Sequence, residues 1–339
     1  MLGNPLLGIV VLFFLMFGVS FADGNAKKVV EARPLFGTVV TMEACLSSGE
    51  EDLLRKAMDR AWECLEGIQV RMNVYSPSSE ASRVNQANGK AIEVSTDLYD
   101  LISRSKEYQV LTGKAFDITI SPLSRLWKES SKAQRYPSKE DVLRSKGFVG
   151  SEKIELLDGR KIRLPEGMAI DLGGNAPGFS TDEVVKILHQ GGLKNFLIDV
   201  GGEIYASGVG CDGRKWRIGS SDPGGHGKFV DVLELQDMAV STSGDQEKFF
   251  EIKGERLSHI INPLTGYPVR GAASVTVLAP TTMDADVLST ALCVLGPQAG
   301  LKLLSSLGKG YEAMMLWRRD DGSFERYASD GYDSFRLVK

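Results

Sequence analysis

The pattern Ile-Asp-apolar-Gly-Gly occurs twice between Ile170 and Gly208, once on each side of a single helix-like run. It reads Ile170-Asp171-Leu172-Gly173-Gly174, then Asn175-Ala176-Pro177-Gly178, then Phe179–Gln190, then Ile198-Asp199-Val200-Gly201-Gly202-Glu203. Each copy predicts a strand ending in a glycine bend. Paired glycines expose backbone N–H groups with no Cβ to keep a ligand away. A helix starting just after the first bend would aim its unpaired N–H groups at the same place, which suits a phosphate. Two ordinary glycine turns would produce the same pattern without any ligand.

The segments around this stretch mix two periods. Glu50–Gln69 carries Leu53, Leu54, Met58, Ala61, Trp62, Leu65 and Ile68 at helical spacing, and Thr96–Thr112 does the same with Leu98, Leu101, Ile102 and Tyr108. Their stripes are core faces. Leu123–Lys128 predicts a short helix carrying Trp127. Met283–Leu295 and Ala299–Leu307 read as two further helices. Strands are predicted around Phe36-Gly37-Thr38, at Trp216–Gly219 and Val230–Leu235, at Met238–Ser243, Phe249–Ile252, His259–Ile261 and Ser274–Leu278, and in the closing segments Tyr311–Trp317, Phe324–Ser329 and Phe335–Val338. Asp158-Gly159 between two short apolar runs predicts a hairpin with a type I′ turn. Amphipathic helices with alternating strands and hairpin turns argue for α+β with a largely antiparallel sheet and packed helices. No linker divides the chain after its first segment. One compact unit is expected, a single domain or two fused halves.

Leu6–Phe21 is apolar but short of the roughly 20 residues a membrane helix needs. Ser20-Phe21-Ala22 before Asp23 offers the small residues of a signal-peptidase site. The expectation is a signal peptide over residues 1–22, a mature domain over 23–339 and export to the periplasm. An uncleaved anchor holding the chain in the inner membrane is the alternative. With a formal net charge of −4 and no sustained basic run, nothing marks a nucleic-acid partner. Cys45, Cys64, Cys211 and Cys293 are too scattered for a zinc site. Export permits disulfides, but Cys64 and Cys293 fall on apolar helical faces, and no pairing is assigned.

Asp286 and Thr290 stand one turn apart on a predicted helix, so both face the same way. A carboxylate and a hydroxyl together offer hard oxygen ligands for Mg²⁺. An Asp favoured by the helix dipole and a Thr bonded to its own backbone explain the spacing equally well. His259, beside the tight bend Asn262-Pro263-Leu264-Thr265-Gly266, has the chemistry of a general base, or else is structural. His226 sits in a glycine loop and is read as solvent-exposed. Ser243 lacks the Gly-x-Ser-x-Gly context of a hydrolase nucleophile.

Taken together, the blocks Phe36-Gly37-Thr38, Tyr75 with Ser82–Asn85, Phe116-Asp117, Asp171–Asp182, Ile198–Gly208, Ser241–Asp245, His259–Pro268 and Asp286–Thr290 resemble, in order, the ApbE-like flavin transferases (FAD:protein FMN transferases). The most specific pieces are Asp-Leu-Gly-Gly-x-Ala-x-Gly-Phe, His-Ile-Ile-Asn-Pro-x-Thr-Gly and Ala-Asp-x-Leu-Ser-Thr-Ala-Leu. The resemblance covers nearly the whole mature chain and implies a T-fold-like α+β architecture. It also implies an exported Mg²⁺-dependent enzyme that moves the FMN phosphoryl group of FAD onto a Ser/Thr flavinylation motif of an acceptor protein, releasing AMP. On this resemblance the metal ligands are the Ala176 carbonyl, Asp286 and Thr290. FAD would lie against Met72, Tyr75, Phe116, Asp117, Asp171, Gly173 and Gly174, with Asp199, Gly201 and Gly202 nearby. His259, also beside FAD, would take the acceptor's proton, with Asp286 the other catalytic residue.

The chain departs from the family pattern in three places. Pro177 stands where the family usually has Lys, removing a cation and an N–H beside the phosphates. Asn175 replaces a common Ile, which predicts a polar group near the flavin. The family's lipid-anchoring Cys is missing, since the first cysteine is Cys45. Two alternatives stay in view: a FAD pyrophosphatase, with water replacing the acceptor and FMN and AMP released, and, because of Pro177, a flavin-binding protein without turnover.

Overall fold

The computed structural model describes residues 20–21, 27–47, 49–221, 229–245 and 249–337. The expected signal segment, apart from residues 20–21, and the His226 loop lie outside the described residues. In chain order the elements are β1 (Ser20–Phe21), β2 (Lys27–Leu35), β3 (Thr38–Leu46), α1 (Glu51–Met72), α2 (Glu80–Asn85), β4 (Ile92–Glu93), α3 (Thr96–Leu111), α4 (Ser121–Lys132), α5 (Lys139–Lys146), β5 (Glu155–Leu157) and β6 (Lys161–Arg163). Then come α6 (Ala176–Gln190), β7 (Phe196–Val200), β8 (Glu203–Ser207), β9 (Trp216–Ser221), β10 (Phe229–Leu235), β11 (Met238–Gly244), β12 (Phe249–Ile252), β13 (Glu255–Ser258), β14 (Ala272–Ala279), α7 (Thr282–Leu307), β15 (Glu312–Arg318) and β16 (Phe324–Ala328).

A nine-stranded sheet in the order β1-β2-β3-β7-β8-β11-β14-β15-β16 organises the fold. Each pairing within it is antiparallel, as the hairpin-rich sequence predicts. On one face, Trp62 and Leu65 of α1 and Val184 and Leu188 of α6 pack over Val40, Met42, Ile198 and Val200. Farther along that face, Leu288 and Leu292 of α7 cover Val275, Val277, Ala313 and Met315. The other face is closed by the β9–β10 hairpin, whose Trp216, Ile218, Leu233 and Leu235 meet Val240, Leu278 and Met314. Cover on both faces explains why β14 is buried along its whole length, its Ser274 and Thr276 included.

Several expectations change in the structure. The first Ile-Asp-Leu-Gly-Gly copy is not a strand: Ile170–Leu172 have no regular structure and Gly173-Gly174 turn into α6. The Asn85 side-chain amide donates to the Ile170 carbonyl at 3.0 Å and accepts from its N–H at 2.7 Å, and Asp171 N–H donates to the Ile118 carbonyl at 2.7 Å. These bonds occupy the backbone groups a strand neighbour would have used. The second copy is a true strand turn. Val200 pairs with Glu203, leaving Gly201 and Gly202 as a two-residue loop at φ +70° and +104°, the conformation that glycine adopts without strain. The hairpin after β5 has a loop one residue longer than expected, because Leu157 pairs with Lys161 and the positive φ values fall on Gly159 and Arg160.

The predicted strand at His259–Ile261 belongs one segment earlier. β13 ends at Ser258, whose hydroxyl accepts from Ile260 N–H at 3.1 Å and turns the chain, so His259 emerges from a bend. The two predicted C-terminal helices are both present: they meet end to end at a non-helical Gly296 (φ +75°), just before Pro297, and together carry the label α7. The last predicted strand, Phe335–Val338, follows a 3-10 turn at Tyr332–Phe335 and makes only an isolated bridge to β10, Arg336 opposite Leu233, with Leu337 N–H donating to the Val232 carbonyl at 2.8 Å; Val338 lies outside the described residues. Cys45 and Cys211, left unpaired by the sequence reading, form a disulfide across 166 residues. Cys64 and Cys293 are free thiols, as their helical positions predict.

Candidate active site

The two glycine bends open onto one cavity of about 620 Å³. That volume falls inside the roughly 300–1,000 Å³ range of ligand pockets. Tyr75, Phe116, Asp117, Asp171, Gly173, Gly174, Gly201, Gly202, His259, Asp286 and Thr290 all line it, drawn from segments far apart in sequence. Met72 does not. It is 4% exposed and packs into the same core cluster as Phe116. Asp199 lies behind the second bend, where its carboxylate accepts from Gly202 N–H at 2.7 Å and holds the turn.

Helices α6 and α7 meet at the floor. Gly178 comes so near α7 that a Cβ there would sit 2.7 Å from the Thr282 carbonyl oxygen and 2.9 Å from Asp286 Cβ. Only glycine permits this approach, and it lets Gly178 N–H donate to Asp286 Oδ2 at 3.0 Å. Gly174 is similarly close to the other ligand candidate, with its virtual Cβ 3.5 Å from Thr290 Oγ1 and 3.3 Å from the Phe116 ring. Asp182, two turns into α6, accepts from Thr282 N–H at 2.7 Å and Met283 N–H at 3.1 Å, so it fixes the start of α7.

Asp117 lines the cavity and also braces its wall. Its carboxylate accepts from Thr119 N–H at 2.8 Å, Ser151 N–H at 3.0 Å, Ser151 Oγ at 2.5 Å and Gln109 Nε2 at 2.7 Å. Those bonds tie the Phe116 loop to the segment after α5, so Asp117 shapes the wall while its own acceptor capacity is spent. Asn175 also differs from its expectation: it is fully buried and donates to Ser105 Oγ of α3 at 2.7 Å, turned away from the cavity. Pro177 lines the cavity in the first turn of α6, where a missing N–H costs the helix nothing.

The electrostatics are one-sided. Asp117, Asp171, Glu203 and Asp286 line the cavity, and no Lys or Arg does so among the described residues. Lys186, a candidate substitute for the missing cation, pairs with Glu183 at 2.6 Å on the outer face of α6; Lys194 does not line the cavity either. Burial pushes the Asp286 carboxyl up, and the charge of Asp182 adds to the rise while the Gly178 N–H opposes it. Glu203 is raised well above the carboxylate range by burial, then by the charges of Asp286 and Asp199. The charge of Asp171 raises Tyr75 at the cavity mouth.

Opposed buried carboxylates without a neighbouring cation are costly unless protonated or neutralised by a metal. Among the described residues no cluster of three or more His, Cys, Asp or Glu side chains forms a metal cage. Asp286 and Thr290 instead present an open pair of hard oxygens to the cavity, which fits Mg²⁺ that retains water and phosphate ligands; the Ala176 carbonyl, the third donor the resemblance implies, does not line the cavity and accepts from Ser180 Oγ at 2.6 Å. Glu203 was not singled out from the sequence. Its signal was its position directly after Gly201-Gly202, where the turn delivers it to the cavity wall.

Comparison with known proteins agrees with this geometry. The ApbE family model matches residues 36–315. The FAD:protein FMN transferase of Haemophilus influenzae is 33% identical over 286 residues, covering 81% of this chain and 82% of that protein. Its namesake in Vibrio cholerae is 32% identical over 319 residues, covering 91% and 93%. Among solved structures, the flavin transferase ApbE from Vibrio cholerae superposes with a TM-score of 0.77 at 29% identity, covering 91% of this chain and 99% of that one. The apo flavinyl transferase ApbE of Pseudomonas stutzeri gives 0.80 at 28% identity, covering 94% and 100%. The match spans both glycine bends, the His259 bend and the whole of α7: this chain belongs to the ApbE family.

Proposed function

We propose that the chain is a Mg²⁺-dependent FAD:protein FMN transferase acting on a Ser or Thr hydroxyl of an exported or membrane redox protein. The observation that carries the reading is the acid-lined cavity, which the Asp286–Thr290 pair, the glycine bends and His259 line together and which no Lys or Arg lines among the described residues. An anionic pyrophosphate would be repelled from such a wall unless a divalent cation came with it. Bound by Asp286 and Thr290, Mg²⁺ would neutralise the phosphates and withdraw charge from the leaving group.

The chain's own residues do the rest. The Gly173-Gly174 and Gly201-Gly202 bends allow the substrate to approach the backbone closely, and Phe116 and Tyr75 offer aromatic faces for the flavin or adenine rings. His259 takes the proton of the acceptor hydroxyl as its oxygen bonds to the FMN phosphorus. The bond from that phosphorus to the bridging oxygen breaks, and AMP leaves with the electron pair. Positioning and charge stabilisation suffice, so no protein nucleophile is needed.

Export, with residues 1–22 removed or kept as an anchor, completes the reading. The Cys45–Cys211 bridge supports it, because disulfides persist in oxidising compartments. The test compares the mature protein with Asp286→Ala for AMP release from FAD, with Mg²⁺ and with a chelator. Release by the native protein only with Mg²⁺, and none by the variant, is the expected result. Equal release by the variant overturns the metal assignment.

A further inference from the structure

A line of hydroxyls runs behind the candidate metal ligands, from Glu203 at the second glycine bend to Thr290. Ser241 Oγ lies 3.4 Å from Glu203 Oε1 and 3.3 Å from Ser289 Oγ. Ser243 Oγ lies 2.7 Å from Ser289 Oγ and 3.3 Å from Thr290 Oγ1. Ser289 Oγ donates to the Asp286 backbone carbonyl at 2.9 Å. Ser241 and Ser243 reach this line because alternate residues of β11 share the face turned to α7.

Each hydroxyl has one proton to give, and a carbonyl can only accept. That fixes the direction of the line. Ser289 spends its proton on the Asp286 carbonyl, so in the short contact with Ser243 it accepts. Ser243 therefore spends its proton on Ser289 and accepts from Thr290. Thr290 is left with its proton turned toward β11 and its lone pairs free. The usual alternative for a helical Thr is to donate to the carbonyl four residues back, here Asp286. The Ser289 hydroxyl already occupies that carbonyl.

We infer that Ser289 and Ser243 are positioning residues that set the polarity of Thr290, so that its oxygen faces the cavity as a cation ligand. This rests on the Mg²⁺ reading above and deepens it. Outer hydrogen bonds of this kind orient ligands, and their loss costs about 10–100-fold in metal affinity.

The experiment is a calorimetric titration of the metal-stripped full chain with Mg²⁺, alongside its melting temperature. Ser289→Ala is expected to weaken Mg²⁺ binding by about tenfold, because Ser243 then turns its proton onto Thr290 and reverses it. Adding Ser243→Ala to Ser289→Ala removes the misdirected donor and recovers part of the loss. Ser243→Thr alone keeps a hydroxyl and retains native affinity. A merely structural role makes the double variant worse than the single one. A double variant no better than Ser289→Ala, or native affinity in Ser289→Ala, overturns the inference. If the native chain itself takes up no Mg²⁺, the metal assignment fails first and the inference falls with it.

Discussion

Gly178→Ala tests the α6–α7 contact on which the cavity floor depends. The added methyl would lie 2.7 Å from the Thr282 carbonyl oxygen and 2.9 Å from both Met283 Cα and Asp286 Cβ. Ordinary contact begins near 3.5 Å, and these are backbone or backbone-adjacent atoms that cannot rotate away. The helices must therefore part. Overpacking of this kind costs about 1–3 kcal/mol, and replacing a helical glycine returns at most about 1 kcal/mol. The net is a loss of about 1–2 kcal/mol. With an unfolding entropy of about 2.1 cal/mol/K per residue, that lowers the melting temperature by roughly 2 °C. The shift is small but its sign is decisive, because Gly→Ala in an uncrowded helix raises stability. The same movement drags the Gly178 N–H from Asp286, so Mg²⁺ affinity should fall by about tenfold. Calorimetric melting and Mg²⁺ titration read both effects. A variant that melts higher and binds Mg²⁺ normally would refute the close approach.

Other predictions follow from the same geometry. The double variant Cys45→Ser/Cys211→Ser opens a loop of 166 residues; chain entropy sets the loss at about 5 kcal/mol, readable as a lower melting temperature that reductant also produces in the native protein. Burial raises Asp182 to about 6, from an ordinary value near 3.8, against the pull of the Thr282 and Met283 N–H groups. A carboxyl raised on folding supports stability below its unfolded pKa, and that support is lost as pH rises through 6. The metal-free native protein should therefore lose melting temperature relative to Asp182→Asn between pH 4 and pH 7; a constant difference across that range would contradict the shift. His259→Gln should slow transfer to an acceptor while leaving Mg²⁺ affinity unchanged, which stopped-flow transfer assays and the same titration separate.

The sequence made the antiparallel α+β class legible because helical stripes and hairpin turns are local signals. Its failures have local causes too. Ile170–Leu172 looks like a strand because its composition is that of one, yet Asn85, remote in sequence, supplies the pairing groups. The Cys45–Cys211 bridge depends on how the loop before β9 returns to the end of β3, which no spacing reveals. At the site, the glycine bends, Asp286, Thr290 and His259 were legible from motif order. Met72, expected against the flavin, is instead packed in the core and does not line the cavity. Glu203 and the serine line escaped notice because their meaning lies in contacts between β8, β11 and α7, not in any one segment.

The central claim is transfer, and mass decides it. The mature chain, FAD, Mg²⁺ and an acceptor carrying a Thr-containing flavinylation motif are incubated together, and the acceptor is weighed intact and as peptides. The account predicts FMN bound through phosphate to the Thr hydroxyl, with AMP released in equal amount. Free FMN and AMP beside an unmodified acceptor, or intact FAD held without cleavage, would contradict it.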